Sequence, residues 1–229
     1  ISDTYYGTKL DDPYRYMENL EDASVQNWLK LQAAHSRKIL DNIPGRQALL
    51  DKMIDFNKRT ASSVTLSFVG EMDQYVYLKT TPSDLTAKLY YRKGFEGEES
   101  LLFDPATFSE DTKKSFVINY FYISQNGTKV AIALMSEGLE IPRLVILDLT
   151  TRKLFPEVIE RTYNFTWLPG DESFLYQKLN SDSPGDPETF LNTKLYFHEV
   201  GTDPAMDIEI FSREKYPELG LNPEDFSYP

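Results

Sequence analysis

The chain contains no cysteine, which excludes disulfides, thiolate metal sites and a cysteine nucleophile. Histidine is scarce: His35 and His198 are the 2 in 229 residues, far apart and without a His-x-x-x-His or His-Glu-x-x-His pattern. A zinc site is therefore not expected, and both read as ordinary surface or half-buried side chains. Positive charge is in deficit, 24 Lys and Arg against 36 Asp and Glu, for a net charge of −12. That balance repels a phosphate backbone, so nucleic acid is not an expected partner. No run of 18 apolar residues and no charged-then-apolar leader occurs, so neither a membrane span nor an export signal is expected. The compartment stays open between cytoplasm and periplasm, and the start at Ile1 in place of Met suggests that an upstream segment was removed.

Chemical signatures are missing too. There is no Gly-x-Ser-x-Gly elbow for a serine nucleophile, no Gly-x-x-x-x-Gly-Lys phosphate loop and no Gly-x-Gly-x-x-Gly after a strand. The paired acids Asp11-Asp12, Glu21-Asp22 and Glu98-Glu99 read as solvated surface in so acidic a chain. No catalytic residue, metal site or cofactor is assigned.

What is present is a repeat. Tyr122 to Leu134 places Asn126-Gly127 between two apolar runs, the signature of a hairpin closed by a two-residue type I′ turn. About 45 residues on, a spacing in the propeller range, Trp167 to Tyr176 repeats the plan around Pro169-Gly170-Asp171. A fainter copy runs from Phe68 through Gly70 to Tyr77. A further strand comes after each hairpin, Leu89-Tyr90-Tyr91, Leu144-Val145-Ile146 and Leu195-Tyr196-Phe197, at steps of about 55 and 51 residues. Each unit thus holds about four short strands, the content of a propeller blade. The competing reading is an irregular β-sandwich. Aromatics at 14%, among them 15 Tyr and 14 Phe, suit many short, half-buried strands.

Ahead of the repeat, Ile1 to Leu20 reads as an extended or turning entry. Asp22 is a candidate N-cap for a helix ending near Ile43, with Val25, Trp28, Leu29, Gln32, Ser36 and Ile39 on one face. Pro44-Gly45 breaks the pattern, and Leu49, Leu50, Met53 and Ile54 stripe a second helix. Two such helices bury little against each other, so a covering surface is expected, one absent from this chain. Residues 1–59 form the helical segment and 60–229 the β region. Asn180 to Asn192 reads as a mobile polar insertion, and Phe226 to Pro229 as the opening of another hairpin. Three units cannot close a ring, because each blade packs on two neighbours. The chain therefore reads as a fragment that is expected to self-associate through bare blade faces.

These segments resemble the prolyl oligopeptidase family of serine peptidases, in its N-terminal region. The likeness rests on Tyr6-Gly7 and Asp12-Pro13-Tyr14-Arg15, the Asp22 to Gln32 helix, Leu102-Phe103-Asp104-Pro105, Glu157 to Arg161, Trp167, and Lys194 to Asp203, in the family's order. Met17-Glu18-Asn19 departs from the usual aromatic or Leu, Glu and Asp. The resemblance implies a mainly β fold: an N-terminal helical segment that packs on an absent α/β-hydrolase domain, then about three four-stranded blades of an incomplete seven-bladed β-propeller. It implies the non-catalytic portion of a serine endopeptidase that cleaves short peptides after proline, the propeller restricting access, with Ser, Asp and His of the triad far downstream. It also implies substrate-facing roles for Glu140 and Phe165, with Tyr163 an alternative to Phe165 and blade core the alternative for each aromatic. A free-standing propeller-like module that binds a protein or glycan is the competing function.

Overall fold

The computed structural model describes residues 1–59, 61–70, 73–108, 115–136, 140–183, 185–226 and 228–229. It divides into two compact units, Ile1–Thr60 and Ala61–Pro229.

In the first unit the entry is a hairpin, β1 (Ser2–Tyr5) paired antiparallel with β2 (Thr8–Asp11), where the sequence suggested only extended or turning chain. Tyr6 and Gly7 make the turn with positive φ. Arg15 ties the hairpin to the helical turn after it, binding Asp3 and lying 3.1 Å from Asp12 and 3.4 Å from Glu18. Asp22 caps α1 (Ala23–Asp41) by accepting the Ser24 N–H at 2.7 Å, which satisfies a donor that the first helical turn cannot pair. The second helix is α2 (Arg46–Arg59). Of the apolar positions on α1 only Val25 is buried, and α2 buries none. Among the described residues no helix is long and apolar enough to cross a membrane.

The second unit is three antiparallel four-stranded sheets, each a simple meander. The first blade is β3 (Ser63–Gly70), β4 (Gln74–Thr80), β5 (Lys88–Lys93) and β6 (Ser100–Phe103). The second is β7 (Phe116–Ile123), β8 (Lys129–Ser136), β9 (Arg143–Asp148) and β10 (Lys153–Ile159). The third is β11 (Thr162–Trp167), β12 (Ser173–Lys178), β13 (Lys194–Glu199) and β14 (Ile208–Phe211). These are propeller-type blades, and the three sequence hairpins are the first two strands of each. Leu89-Tyr90-Tyr91, Leu144-Val145-Ile146 and Leu195-Tyr196-Phe197 lie in the third strands.

The middle blade is the core. Successive β8 side chains point to opposite faces: Val130, Ile132 and Leu134 pack on Val76, Leu78, Leu89 and Phe103 of the first blade. Ala131 and Ala133 pack on Phe165, Phe174 and Tyr176 of the third. Two buried faces are why this strand reads as a continuous apolar run instead of alternating.

Three local expectations change. The turn at Asn126-Gly127 is longer than two residues: Ser124 N–H bonds Lys129 O at 2.9 Å, closing a four-residue loop. Gly127 alone has positive φ there, +68°, because the Asn126 N–H is held by Asp171 of the third blade. The 180–192 insertion folds back on itself, Asn180 N–H donating to Thr189 O at 3.0 Å and Thr189 buried. Phe226 and Tyr228 are not in a strand; Phe226 instead packs on Phe190 at 6.4 Å, since a strand needs a neighbour to pair with.

Candidate functional site

Between the first strands of the second and third blades lies a groove of about 400 Å³, lined by Asn119, Tyr120 and Tyr122 from β7, Tyr163 to Thr166 from β11, and Pro142, Tyr228 and Pro229. Its floor is fixed by hydrogen bonds that cross or brace the two blades. The Tyr120 hydroxyl donates to Tyr163 O at 3.1 Å, and the Trp167 indole N–H donates to Tyr122 O at 3.2 Å. The Asn164 amide donates to Gln177 Oε1 at 2.6 Å. Burial, then the neighbouring Tyr122 and Tyr163, push the Tyr120 phenol well above its usual pKa, so it remains a neutral donor.

Tyr122 and Tyr163 stay partly open to solvent, while Phe165 is buried at 8% exposure. Phe165 stacks on Tyr122 at 6.2 Å and packs on Phe174 at 4.7 Å, so it is both blade core and groove wall. Tyr163 offers its ring at the surface, held edge-on by Phe190 at 5.5 Å. Glu140 is exposed in the β8–β9 connection. Pro142 from that connection reaches the groove lining and Glu140 does not; Glu137 to Leu139 lie outside the described residues.

Aromatic faces, amides and prolines can take up an apolar ring and the peptide groups beside it. No Asp, Glu, His, Lys or Arg side chain is among the described residues of the lining. The titratable side chains that line it are the tyrosines, and Tyr120 is held as a neutral donor. Among the described residues no group of three His, Asp or Glu side chains is placed to hold a metal.

Sequence reasoning missed a second constellation, between β10 of the second blade and β13 of the third. His198, read as surface or half-buried, is completely buried. Its Nδ1 lies 2.6 Å from Asp207 Oδ1, and its Nε2 faces Glu157 Oε1 at 3.7 Å. Tyr176 donates to Asp207 Oδ2 at 2.7 Å, and Gly201 N–H donates to Glu157 Oε1 at 2.7 Å. Burial alone would lower the imidazole pKa, but the two carboxylates outweigh it and raise it. Burial likewise opposes ionisation of Glu157, yet His198 and the Gly201 amide hold its pKa below the usual value. His198 stands in a strand whose alternation is apolar, so only its partners, distant in sequence, reveal it.

A model of the N-terminal β-propeller domain of prolyl oligopeptidase matches residues 1–224. The prolyl endopeptidase of Elizabethkingia meningoseptica is 27% identical over 220 residues, covering 94% of this chain and 30% of that protein. The prolyl endopeptidase of Dictyostelium discoideum is 20% identical over 265 residues, covering 92% of this chain and 34% of that protein. A solved structure from a comparison of two prolyl endopeptidases superposes with a TM-score of 0.78 at 29% identity, over 93% of this chain and 31% of the other. Prolyl oligopeptidase B from Galerina marginata, solved with a 25mer macrocyclization substrate, gives 0.74 at 19% identity, over 95% of this chain and 33% of the other, a likeness of fold. The chain thus spans about a third of the length of these relatives.

Proposed function

Since the chain belongs to the family of prolyl oligopeptidase N-terminal β-propeller domains, we propose that it is the substrate-facing, non-catalytic portion of a serine endopeptidase that cleaves short peptides after proline. The blades restrict which peptides reach the chemistry. The groove between β7 and β11 receives the peptide, with Phe165 as wall and Tyr163 as the exposed ring against which a proline stacks. Glu140, in the connection that brings Pro142 to the rim, meets the peptide's amino end. Residues 1–59 form a helical segment that packs on an α/β-hydrolase domain supplying Ser, Asp and His, and 60–229 form the propeller part.

The observation that carries this reading is the groove itself, aromatic rings and amides among which the described residues place no Asp, Glu, His, Lys or Arg side chain, in a sequence without a Gly-x-Ser-x-Gly elbow. Two experiments test it. The 229-residue chain, assayed on a proline-containing chromogenic peptide, is expected to show no hydrolysis; turnover by the chain alone would overturn the division of labour. Titration with a blocked Gly-Pro peptide is expected to quench Trp167 fluorescence, and Tyr163→Ala to weaken that binding about tenfold, the scale of one lost ring stacking plus its buried area. Binding unaffected by Tyr163→Ala would move the site elsewhere.

A further inference from the structure

On the third blade, Arg161, Lys178, Asn180, Asn192, Lys194 and Tyr196 surround a separate pocket of about 150 Å³. Three cations converge there in a chain whose net charge is −12. Lys194 is neutralised, lying 3.4 Å from Glu209 and 2.5 Å from Glu214. The other two are not. Arg161 spends one guanidinium N–H on Asn180 O at 2.6 Å, which leaves four of its five donors. Lys178, half-buried at the end of β12, has its ammonium 5.5 Å from the Tyr196 ring centroid. Among the described residues neither Arg161 nor Lys178 forms an ion pair with a carboxylate. Burial first, and Arg161 second, lower the Lys178 pKa, against a weaker pull from Asp207.

Two like charges brought together away from water are unfavourable unless an anion joins them. Asp207, the carboxylate whose charge acts on Lys178, is already taken by His198 and Tyr176, and Glu209 and Glu214 are taken by Lys194. The remaining lining supplies donors. Asn192 Oδ1 accepts from Arg213 at 3.3 Å, which leaves its amide nitrogen as a donor. The volume equals about five waters at ~30 Å³ each, enough for one small oxyanion and its residual hydration.

We propose that this pocket binds an oxyanion, a carboxylate or phosphate group held by Lys178 and the free guanidinium edge of Arg161, with the Asn192 amide and Tyr196 beside it. The site is independent of the groove between β7 and β11, so it stands or falls apart from the peptide-binding reading. Its two sources are a free peptide carboxylate and a phosphate.

The test is calorimetric titration of the chain at low ionic strength with inorganic phosphate in one arm, and in another with Gly-Pro as free acid beside its amide. Binding of phosphate, of the free acid, or of both is expected, with the amide silent, and the arm that binds names the source. Lys178→Met keeps the apolar stem over Tyr196, and Arg161→Asn keeps a residue tolerant of the +61° φ there. Each is expected to weaken binding about tenfold or more, the scale of one lost charge-assisted hydrogen bond. A readout needing no variant is the Lys178 ammonium tracked by NMR, whose pKa should rise when the binding anion is added. Silence in both arms, binding of the amide equal to the acid, or undiminished binding in both folded variants would overturn the site.

Discussion

Asp171 shows how much one buried carboxylate can organise. It sits at φ +63° in the β11–β12 turn, 1% exposed. From there it accepts the Ser124 hydroxyl at 2.8 Å, the Asn126 N–H at 2.9 Å and the Thr128 hydroxyl at 2.7 Å, all from the equivalent turn of the preceding blade. Burial opposes its charge, but these donors outweigh it and hold the pKa below 3.8. Asp171→Ala strands three donors and is expected to cost about 3 kcal/mol, read as a lower urea midpoint with unchanged slope. His198 clasps the same two blades on the outer side with a different pH signature. Its pKa is raised from 6.5, so its contribution is complete below 6.5 and is lost as pH rises through the raised value. Glu157 is lowered from 4.5, so its contribution is complete above 4.5 and is lost as pH falls through the lowered value. Stability contributed by this pair therefore peaks between 4.5 and 6.5, and the peak should flatten in His198→Gln. Urea midpoints from about pH 4 to about pH 9 check this; a profile identical in wild type and His198→Gln would refute the clasp. Asp171 was visible in the sequence as a turn residue, but its bonds to the preceding blade's turn were not, because nothing local encodes them.

At the scale of elements, β8 is the strand on which the blades depend. Ala131 and Ala133 leave room for Phe165, Phe174 and Tyr176, while Val130, Ile132 and Leu134 fill the opposite face. Exchanging small for large on the tight face, Ala133→Leu, is expected to cost about 1–3 kcal/mol through overpacking. Ile132→Ala on the other face should cost about 2–5 kcal/mol through lost burial and a cavity; both are read from chemical denaturation, and neutral values would mean the faces are not packed as described. Gly127 is constrained by its φ of +68°, and a Cβ there would also push the Gln74 side-chain amide aside. Third strands and hairpin turns were legible because their apolar runs and Gly-containing turns are local signals. The outer strands β10 and β14 were not. β10 carries Pro156 within a register shift between Leu154 and Val158, a residue that an unpaired edge tolerates and that reads as a breaker in sequence. The helices were legible in extent, since Asp22 and the Pro44-Gly45 break are local as well.

For the whole molecule, the helical unit leaves most of the apolar side chains on its helices exposed. Trp28, Leu29, Leu31, Leu49, Met53 and Ile54 are each at least 43% exposed. Such surface is rarely left to water, so the isolated chain is expected to self-associate and to bind an apolar dye. Leu49→Glu with Met53→Glu should shift light scattering toward the monomer and reduce dye binding; a dye-silent monomer without those changes would argue against a covering hydrolase domain. The amino-acid sequence by itself determined the repeat, the mainly β class and the two helices. Each of these comes from periodicity or turn residues, which any short stretch displays. Tertiary structure alone decided that His198 is buried between two acids, that Asp171 locks one blade's turn to the next, and that Arg161 and Lys178 share a pocket. Those pairings join residues well separated along the chain. A side chain's partners, burial and charge state are properties of the space around it, and that space exists only once the blades have stacked.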